Sequence, residues 1–135
     1  MKQIIFLSIL AVIASGCDRS SGERTTEELV GIWHMDKVTQ KDREFMAEQH
    51  LKKDGTFEMQ GTVPIPTGPI TFTVHGTWRA DSDHLYQTAT NSEPDLGFPL
   101  NKEEINTLIS VGASKFSMRT PDGEVRTFRK KHSRP

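Results

Sequence analysis

Cysteine is almost absent from this chain of 135 residues, which contains one, Cys17. One thiol excludes an internal disulfide framework, a multi-thiolate metal site and the paired thiols of redox proteins. A charge excess of either sign is also missing, because 17 Lys and Arg face 18 Asp and Glu. That balance argues against a dedicated nucleic-acid binder, which usually presents a basic stripe. The length allows one domain and excludes a multidomain enzyme.

The sequence also lacks the short motifs that carry common enzyme chemistry. It has no glycine-rich phosphate loop, no Gly-x-Ser-x-Gly elbow and no His-Glu-x-x-His pattern. Its five histidines are scattered, and strand alternation predicts that His34 and His75 point outward. A metal site would require His34, His75 and His84 to converge on one outer face, whereas ordinary surface histidines require no such convergence. We therefore expect no enzyme activity, no metal and no other cofactor.

The longest apolar run spans residues 4–14 and directly follows a short basic start. A helix needs about 20 residues to cross a bilayer core of ~30 Å, so this run is too short to span it. A basic start, an apolar stretch and a small-residue end are typical of a secretory signal. We predict that residues 1–16 are a signal peptide; in one alternative it is an ordinary secretory signal with an incidental cysteine.

The end of that signal, Ala14-Ser15-Gly16-Cys17, resembles the lipobox of bacterial lipoproteins, with Ala14 where Leu is commoner. The resemblance implies that Cys17 becomes the first mature residue, carries acyl chains such as palmitate, and anchors the protein to membrane lipid. Several chains are needed because one acyl chain binds a membrane only marginally. Asp18 resembles the enteric signal for retention in the inner membrane, which implies a lipid-anchored protein facing the periplasm.

Strand signals dominate the mature chain after a polar stretch that we predict to be a flexible tether, residues 17–27. Asp54-Gly55 between two strand-like runs predicts a hairpin, and Pro64–Pro69 predicts a loop. Residues 43–53 and 101–104 also carry helix signals, but we favour strands there. The predicted strands are 29–38, 46–52, 56–63, 70–78, 85–90, 105–111, 115–120 and 125–131.

Eight short strands joined mostly by tight turns predict an all-β fold, a small antiparallel up-and-down β-barrel of residues 28–131. The remaining residues 132–135 continue a basic run that begins at Arg129. In such a barrel the last strand ends where the first begins. We therefore expect the basic tail to lie at the tether end, facing the membrane.

Gly31-x-Trp33 in the first strand, with Arg126 and Arg129 in the last, resembles the lipocalin and calycin pattern. The bacterial lipocalin-like domains also share Asp54-Gly55-Thr56-Phe57, Gly76-Thr77-Trp78 and Asp122-Gly123. The resemblance implies structural roles for Gly31, Trp33 and Arg126, with an arginine of the closing strand over the tryptophan. Aligning residue 28 with residue 131 places Trp33 opposite Arg126, which favours a cation–π contact. In the alternative, Trp33 is plain core and Arg126 is solvated.

The side chains predicted to face inward are aromatic or methionine, and they suit either a filled core or an adaptable lining for a ligand. We expect a membrane-anchored, non-enzymatic lipoprotein that binds a small apolar ligand at the cell envelope. The alternative is an interaction module, such as an inhibitor or accessory subunit of an envelope protein, using loops 64–69 and 91–101. The ligand-lining candidates are Trp33, Met35, Phe57, Met59, Phe72, Trp78, Phe116 and Met118.

Overall fold

The computed structural model describes residues 20–36, 38–40 and 43–131, with the backbone alone for residues 38–40 and 43–45. The predicted signal peptide, Cys17 and the tail 132–135 lie outside the described residues. One helix precedes nine strands: α1 Ser21–Leu29, β1 Gly31–Met35, β2 Val38–Gln40, β3 Arg43–Leu51, β4 Thr56–Val63, β5 Ile70–Ala80, β6 His84–Glu93, β7 Glu103–Val111, β8 Lys115–Arg119 and β9 Val125–Lys130.

The sheet closes on itself as an antiparallel barrel. Strands β3 to β9 pair in sequence order, and β1 completes the ring by pairing with both β9 and β3. The short strand β2 pairs with the start of β3 and lies beside the ring of eight. Closure leaves these eight strands without an unpaired edge. The prediction of a small up-and-down barrel of about eight strands is therefore confirmed.

The prediction of a flexible tether is wrong for most of residues 17–27, because residues 21–29 form α1. The hydroxyl oxygen of Ser20 accepts a hydrogen bond from the backbone N–H of Glu23 at 3.1 Å, which caps the helix. Leu29 anchors the other end, fully buried in the core. Ser20-x-x-Glu23 is a capping-box sequence, and this signal could have identified the helix.

The predicted first strand, 29–38, is also wrong at both ends. Residue 29 ends α1, β1 stops at Met35, and Val38 begins the separate strand β2. The corner between helix and strand falls at Gly31, whose φ of +145° favours glycine. Neither segment with helix signals forms a helix: residues 43–51 form β3, as expected, and residues 103–104 begin β7.

The barrel has two unlike ends. At the closed end, α1 contacts β5 and β7, and the Thr26 hydroxyl donates to the carbonyl oxygen of Ala80 at 3.3 Å. The open end is the opposite one, where β4 passes to β5 through loop 64–69. Phe98, from the loop after β6, packs against Phe72, with ring centroids 5.4 Å apart. The buried core comprises Leu29, Trp33, Leu51, Phe57, Val63, Phe72, Val74, Trp78, Leu85, Phe116, Met118 and Phe128.

Candidate functional site

Two tryptophans hold the closed end together. The indole N–H of Trp33, which is fully buried, donates to the carbonyl oxygen of Leu29 at 2.8 Å. The indole N–H of Trp78 donates to the carbonyl oxygen of Lys52 at 2.9 Å. Trp33 also meets Phe116 edge-to-face, with centroids 4.7 Å apart. These contacts join α1, β1, β5 and β8 into a packed floor.

The cation opposite Trp33 is Lys130, so the predicted partner Arg126 is wrong. Strand β9 pairs Lys130 with Trp33, and the lysine ammonium lies 5.1 Å from the ring centroid. The register differs from the expected one by four residues because residue 28, used to align the strands, lies in α1. Arg126 instead pairs with Met118 and donates to a carboxylate oxygen of Glu124 at 3.2 Å.

The side chain of Lys130 passes over β1 at Gly31, and this position favours glycine for two reasons. A Cβ added at Gly31 would lie 2.6 Å from the Cε atom of Lys130. Its φ of +145° disfavours other residues independently of space. The Gly-x-Trp motif thus positions a glycine beneath the lysine stem and a tryptophan beneath its charge.

The predicted ligand-lining residues fall into two groups. Trp33, Phe57, Phe72, Trp78, Phe116 and Met118 are buried in the packed core, whereas Met35 and Met59 are partly buried.

Met35 and Met59 alternate along their strands with the buried residues Trp33 and Phe57, so both face the interior. Both inward-facing side chains pack against the core and keep partial exposure to solvent. Gln87 and Ala89 of β6 are also inward-facing and partly buried. We call the inward face formed by Met35, Met59, Gln87 and Ala89 the accessible interior; Val63 and Phe72, nearer the open end, are buried.

Sequence reasoning missed the polar side chains of the interior. Gln49 of β3 is 2% exposed, and its Oε1 accepts a hydrogen bond from Nε2 of Gln87 at 2.9 Å. Two strands, β4 and β5, separate β3 from β6, so this bond crosses the lumen. The alternation of side chains along a strand could have identified both residues. Gln49 lies two residues before the buried Leu51, and Gln87 lies two residues after the buried Leu85, so each faces the same side as its buried neighbour.

Clefts on the surface of the described residues include two, one at α1 and one at β1. The larger, with a volume of about 790 Å³, lies outside the barrel between α1 and the β5–β6 turn, with Gly22, Val30 and Asp81 in its lining. The smaller, about 290 Å³, lies beside the end of β1. Its lining includes the inward-facing Met35 and Gly61. Most of its lining residues, such as Glu48, Gln60 and Thr71, belong to the outer face, so this cleft lies on the outside of the barrel wall.

The histidines on the outer face pair with carboxylates. His34 lies 3.3 Å from Glu48, and His75 lies 3.9 Å from Glu58. Both histidines are exposed, so the prediction that they point outward is confirmed. Within the described residues, no three His, Cys, Asp or Glu side chains are grouped to hold a metal ion.

The turn at the closed end contains the most hydrogen-bonded carboxylate. Asp81 accepts from the backbone N–H groups of Asp83 and His84, at 2.8 and 2.7 Å, and from the Tyr86 hydroxyl at 2.8 Å. These bonds, first the one from Asp83, hold the pKa of Asp81 below its ordinary value. The same carboxylate raises the pKa of Tyr86. Their role is to hold the turn, since each donor belongs to it or to β6.

Four exposed apolar side chains belong to β7 and the loop before it, while Met46 on β3 and Val125 on β9 are exposed as well. Leu96 and Leu100 belong to the predicted interaction loop and are 38% and 41% exposed. Ile105 and Ile109 on the outer face of β7 are 48% and 49% exposed. No helix in the described part of the chain is long and apolar enough to cross a membrane.

No family model and no curated protein matches the sequence. Among solved structures, a lipocalin-like protein from Bacteroides uniformis ATCC 8492 is 16% identical, with a TM-score of 0.55 over 77% of this chain and 99% of its own. A redesigned β-barrel, mFAP1, bound to DFHBI is 19% identical, with a TM-score of 0.43 over 80% of this chain and 99% of its own. The first likeness shows the fold, a lipocalin-like barrel.

Proposed function

We propose that this protein is a membrane-anchored lipoprotein whose lipocalin-like barrel binds a small, largely apolar molecule at the cell envelope without catalysis. Cys17 would carry the anchor, and Asp18 favours the periplasmic face of the inner membrane. The observation that carries the binding proposal is the solvent access of the inward-facing Met35 and Met59. Methionine is flexible enough to reshape a lining around a guest.

The packed floor limits the size of the ligand. Trp33 and Phe116 are fully buried, and Trp78 is 7% exposed, so the lower half of the barrel is already filled. The guest would therefore occupy the part of the interior lined by Met35, Met59 and Ala89. A guest bounded by the filled floor and these few side chains would be one short chain or one ring system rather than a large lipid.

Binding of the dye N-phenyl-1-naphthylamine by a chain that begins at residue 18 tests the proposal. We expect saturable fluorescence enhancement, and at least about tenfold weaker binding by Met59→Trp because the larger ring fills the accessible interior. Ile109→Trp places the same ring on the outer face and serves as the matched control. Equal dye affinity in all three proteins, or enhancement that does not saturate, would contradict the proposal.

A second function, an envelope interaction module, is favoured by the exposed Leu96, Leu100, Ile105 and Ile109. Exposed apolar side chains grouped on one side are typical of protein interfaces. A photo-crosslinking residue at position 109 should then capture one envelope protein, whereas one at the exposed Arg79 should not. Capture of many proteins at both positions would argue against this alternative.

A further inference from the structure

We infer that the ligand of the barrel carries a neutral head group that both donates and accepts hydrogen bonds, such as an alcohol or a primary amide, and that Gln49 binds it. This inference rests on the proposed function and specifies the class of ligand. Its basis is a set of buried polar atoms that have no partner in the described structure.

Gln49 provides the central observation. The residue is 2% exposed and lies between Trp33 and Met59 on the neighbouring strands. Its Oε1 is bonded to Gln87, but its Nε2 has no partner among the described residues. Exchanging the oxygen and nitrogen of the amide would only leave the other atom unpaired. Buried polar atoms without partners are rare and destabilising, so Nε2 indicates a missing guest.

Two further buried atoms are unpaired on inward faces of the barrel. Asn106, fully buried opposite Leu85, donates through Nδ2 to the Leu85 carbonyl oxygen at 3.4 Å, while its Oδ1 has no partner. Arg126 donates through Nη2 to Glu124 at 3.2 Å, while its Nε has no partner. The interior thus offers unpaired donors and an unpaired acceptor.

This combination selects among head groups. Asn106 lies in the packed floor beside Leu85, so the residue that the head group meets is Gln49. A hydrocarbon would leave Nε2 of Gln49 unpaired, and a carboxylate would have to bury its charge there. Arg126 already has an ion-pair partner in Glu124, so its charge is matched before an acid could bind. A hydroxyl or amide both donates and accepts and brings no charge to be desolvated.

The position of Gln49 also predicts the orientation of the ligand. Gln49 is bonded to Gln87, which faces inward and is partly buried, so the pair lies where the packed core meets the accessible interior. Met59, directly opposite Gln49 on β4, is partly buried and flexible. The head group would therefore sit on Gln49, and the apolar chain would extend along Met59 toward the open end.

Competition between matched probes tests the inference. We would displace N-phenyl-1-naphthylamine from the chain beginning at residue 18 with 1-octanol, with 1-chlorooctane, which cannot donate a hydrogen bond, and with octanoate. The wild type should bind 1-octanol at least about tenfold more tightly than either, as expected for one satisfied buried group. Gln49→Met should reduce that preference below about threefold, with each probe's affinity calculated from the dye affinity measured for that variant. Gln60→Met makes the same change on an exposed outer position and should keep the preference.

The outcomes separate this inference from the proposed function. Saturable dye binding without a preference for 1-octanol in the wild type would overturn the head-group inference alone. An unchanged preference in Gln49→Met would overturn it as well, because Gln49 would not be the binding group. Absence of saturable dye binding would overturn both proposals. The wild-type comparison of the probes needs no variant, so it decides the question even if Gln49→Met fails to fold.

Discussion

At the scale of single residues, two glycines make room for phenylalanine rings that lie over the neighbouring strand of the β4–β5 pair. Phe57 pairs with Gly76 and Phe72 pairs with Gly61, so each ring lies over a position without a side chain. A Cβ at Gly61 would lie 2.5 Å from the Phe72 ring, and one at Gly76 would lie 2.0 Å from the carbonyl oxygen of Thr88. The glycines are thus part of the packing of the core.

Gly76→Ala should destabilise the barrel by about 2–3 kcal/mol, because the clash involves backbone and cannot be relieved by a side-chain rotation. Chemical denaturation measures this loss. Gly112→Ala is the matched control, because the nearest atom to its Cβ would be the Lys115 carbonyl oxygen at 3.5 Å. A loss at Gly76 no larger than at Gly112 would show that the wall accommodates the methyl group.

The lowered pKa of Asp81 leads to a prediction about the stability of the protein in acid. Its pKa lies below the ordinary value of 3.8 in the folded protein, so the folded state binds fewer protons than the unfolded state near that pH. The stabilisation is complete above pH 3.8 and is lost as the pH falls through the lowered folded pKa. We expect Asp81→Asn to flatten the dependence of unfolding free energy on pH between pH 5 and about pH 2.5, and the exposed Asp83→Asn to leave it steep. An equal slope in both variants would exclude Asp81 as the source.

The alternation of inward and outward side chains along the strands predicted part of the interior. Alternation in residues 70–78 placed Phe72, Val74 and Trp78 on one face, and all three are buried. The same reasoning missed Gln49 and Gln87, since amides in a strand are expected on the solvent side. Their inward positions follow from this alternation, but their hydrogen bond joins residues 38 positions apart across the lumen, which local sequence does not specify.

At the scale of elements, α1 and β1 behave as one unit because Trp33 connects them. The indole of Trp33 reaches back to the carbonyl of Leu29, the last residue of the helix. Sequence periodicity predicted strands well because runs such as 70–78 are long enough to show alternation. It failed for α1, whose apolar anchor Leu29 provides too little of a helical face to show a period.

Trp33→Ala should cost about 3–5 kcal/mol of unfolding free energy, as for other large truncations in packed cores. The loss combines the cavity beside Phe116 with the unpaired carbonyl of Leu29. Trp33→Phe keeps most of the apolar volume and should cost less. Urea denaturation of both variants measures this, and a loss below about 1 kcal/mol for Trp33→Ala would show that the helix does not depend on the indole.

At the scale of the whole molecule, the first and last parts of the described chain both lie at the closed end. The backbone N–H of Lys131 donates to the Ile32 carbonyl oxygen at 2.8 Å, and a Cβ at Gly22 would lie 3.6 Å from the Cα of Asp81. Three peptide steps separate Cys17 from Ser20, a reach of about 11 Å at most. An acyl anchor on Cys17 would therefore hold the closed end against the bilayer and turn the open end toward the aqueous side.

The same geometry predicts that anchoring depends on Cys17 more than on the basic tail. Arg129 is paired with Asp36 at 3.0 Å and Lys131 with Glu48 at 3.4 Å, so part of the basic charge is matched within the barrel. Each unmatched cation near an anionic surface contributes about 1 kcal/mol, and high salt removes this contribution, whereas two acyl chains hold a protein on the membrane stably.

Cys17→Ser should remain an uncleaved precursor and lose its acyl mass and salt-resistant membrane attachment, while truncation after Lys131 should keep both. Membrane fractionation with a high-salt wash and intact-mass spectrometry measure these outcomes. Two results would show that Cys17 is not the main anchor. One is release from the membrane by the tail truncation alone, and the other is a Cys17→Ser protein that is still processed and still attached to the membrane in high salt.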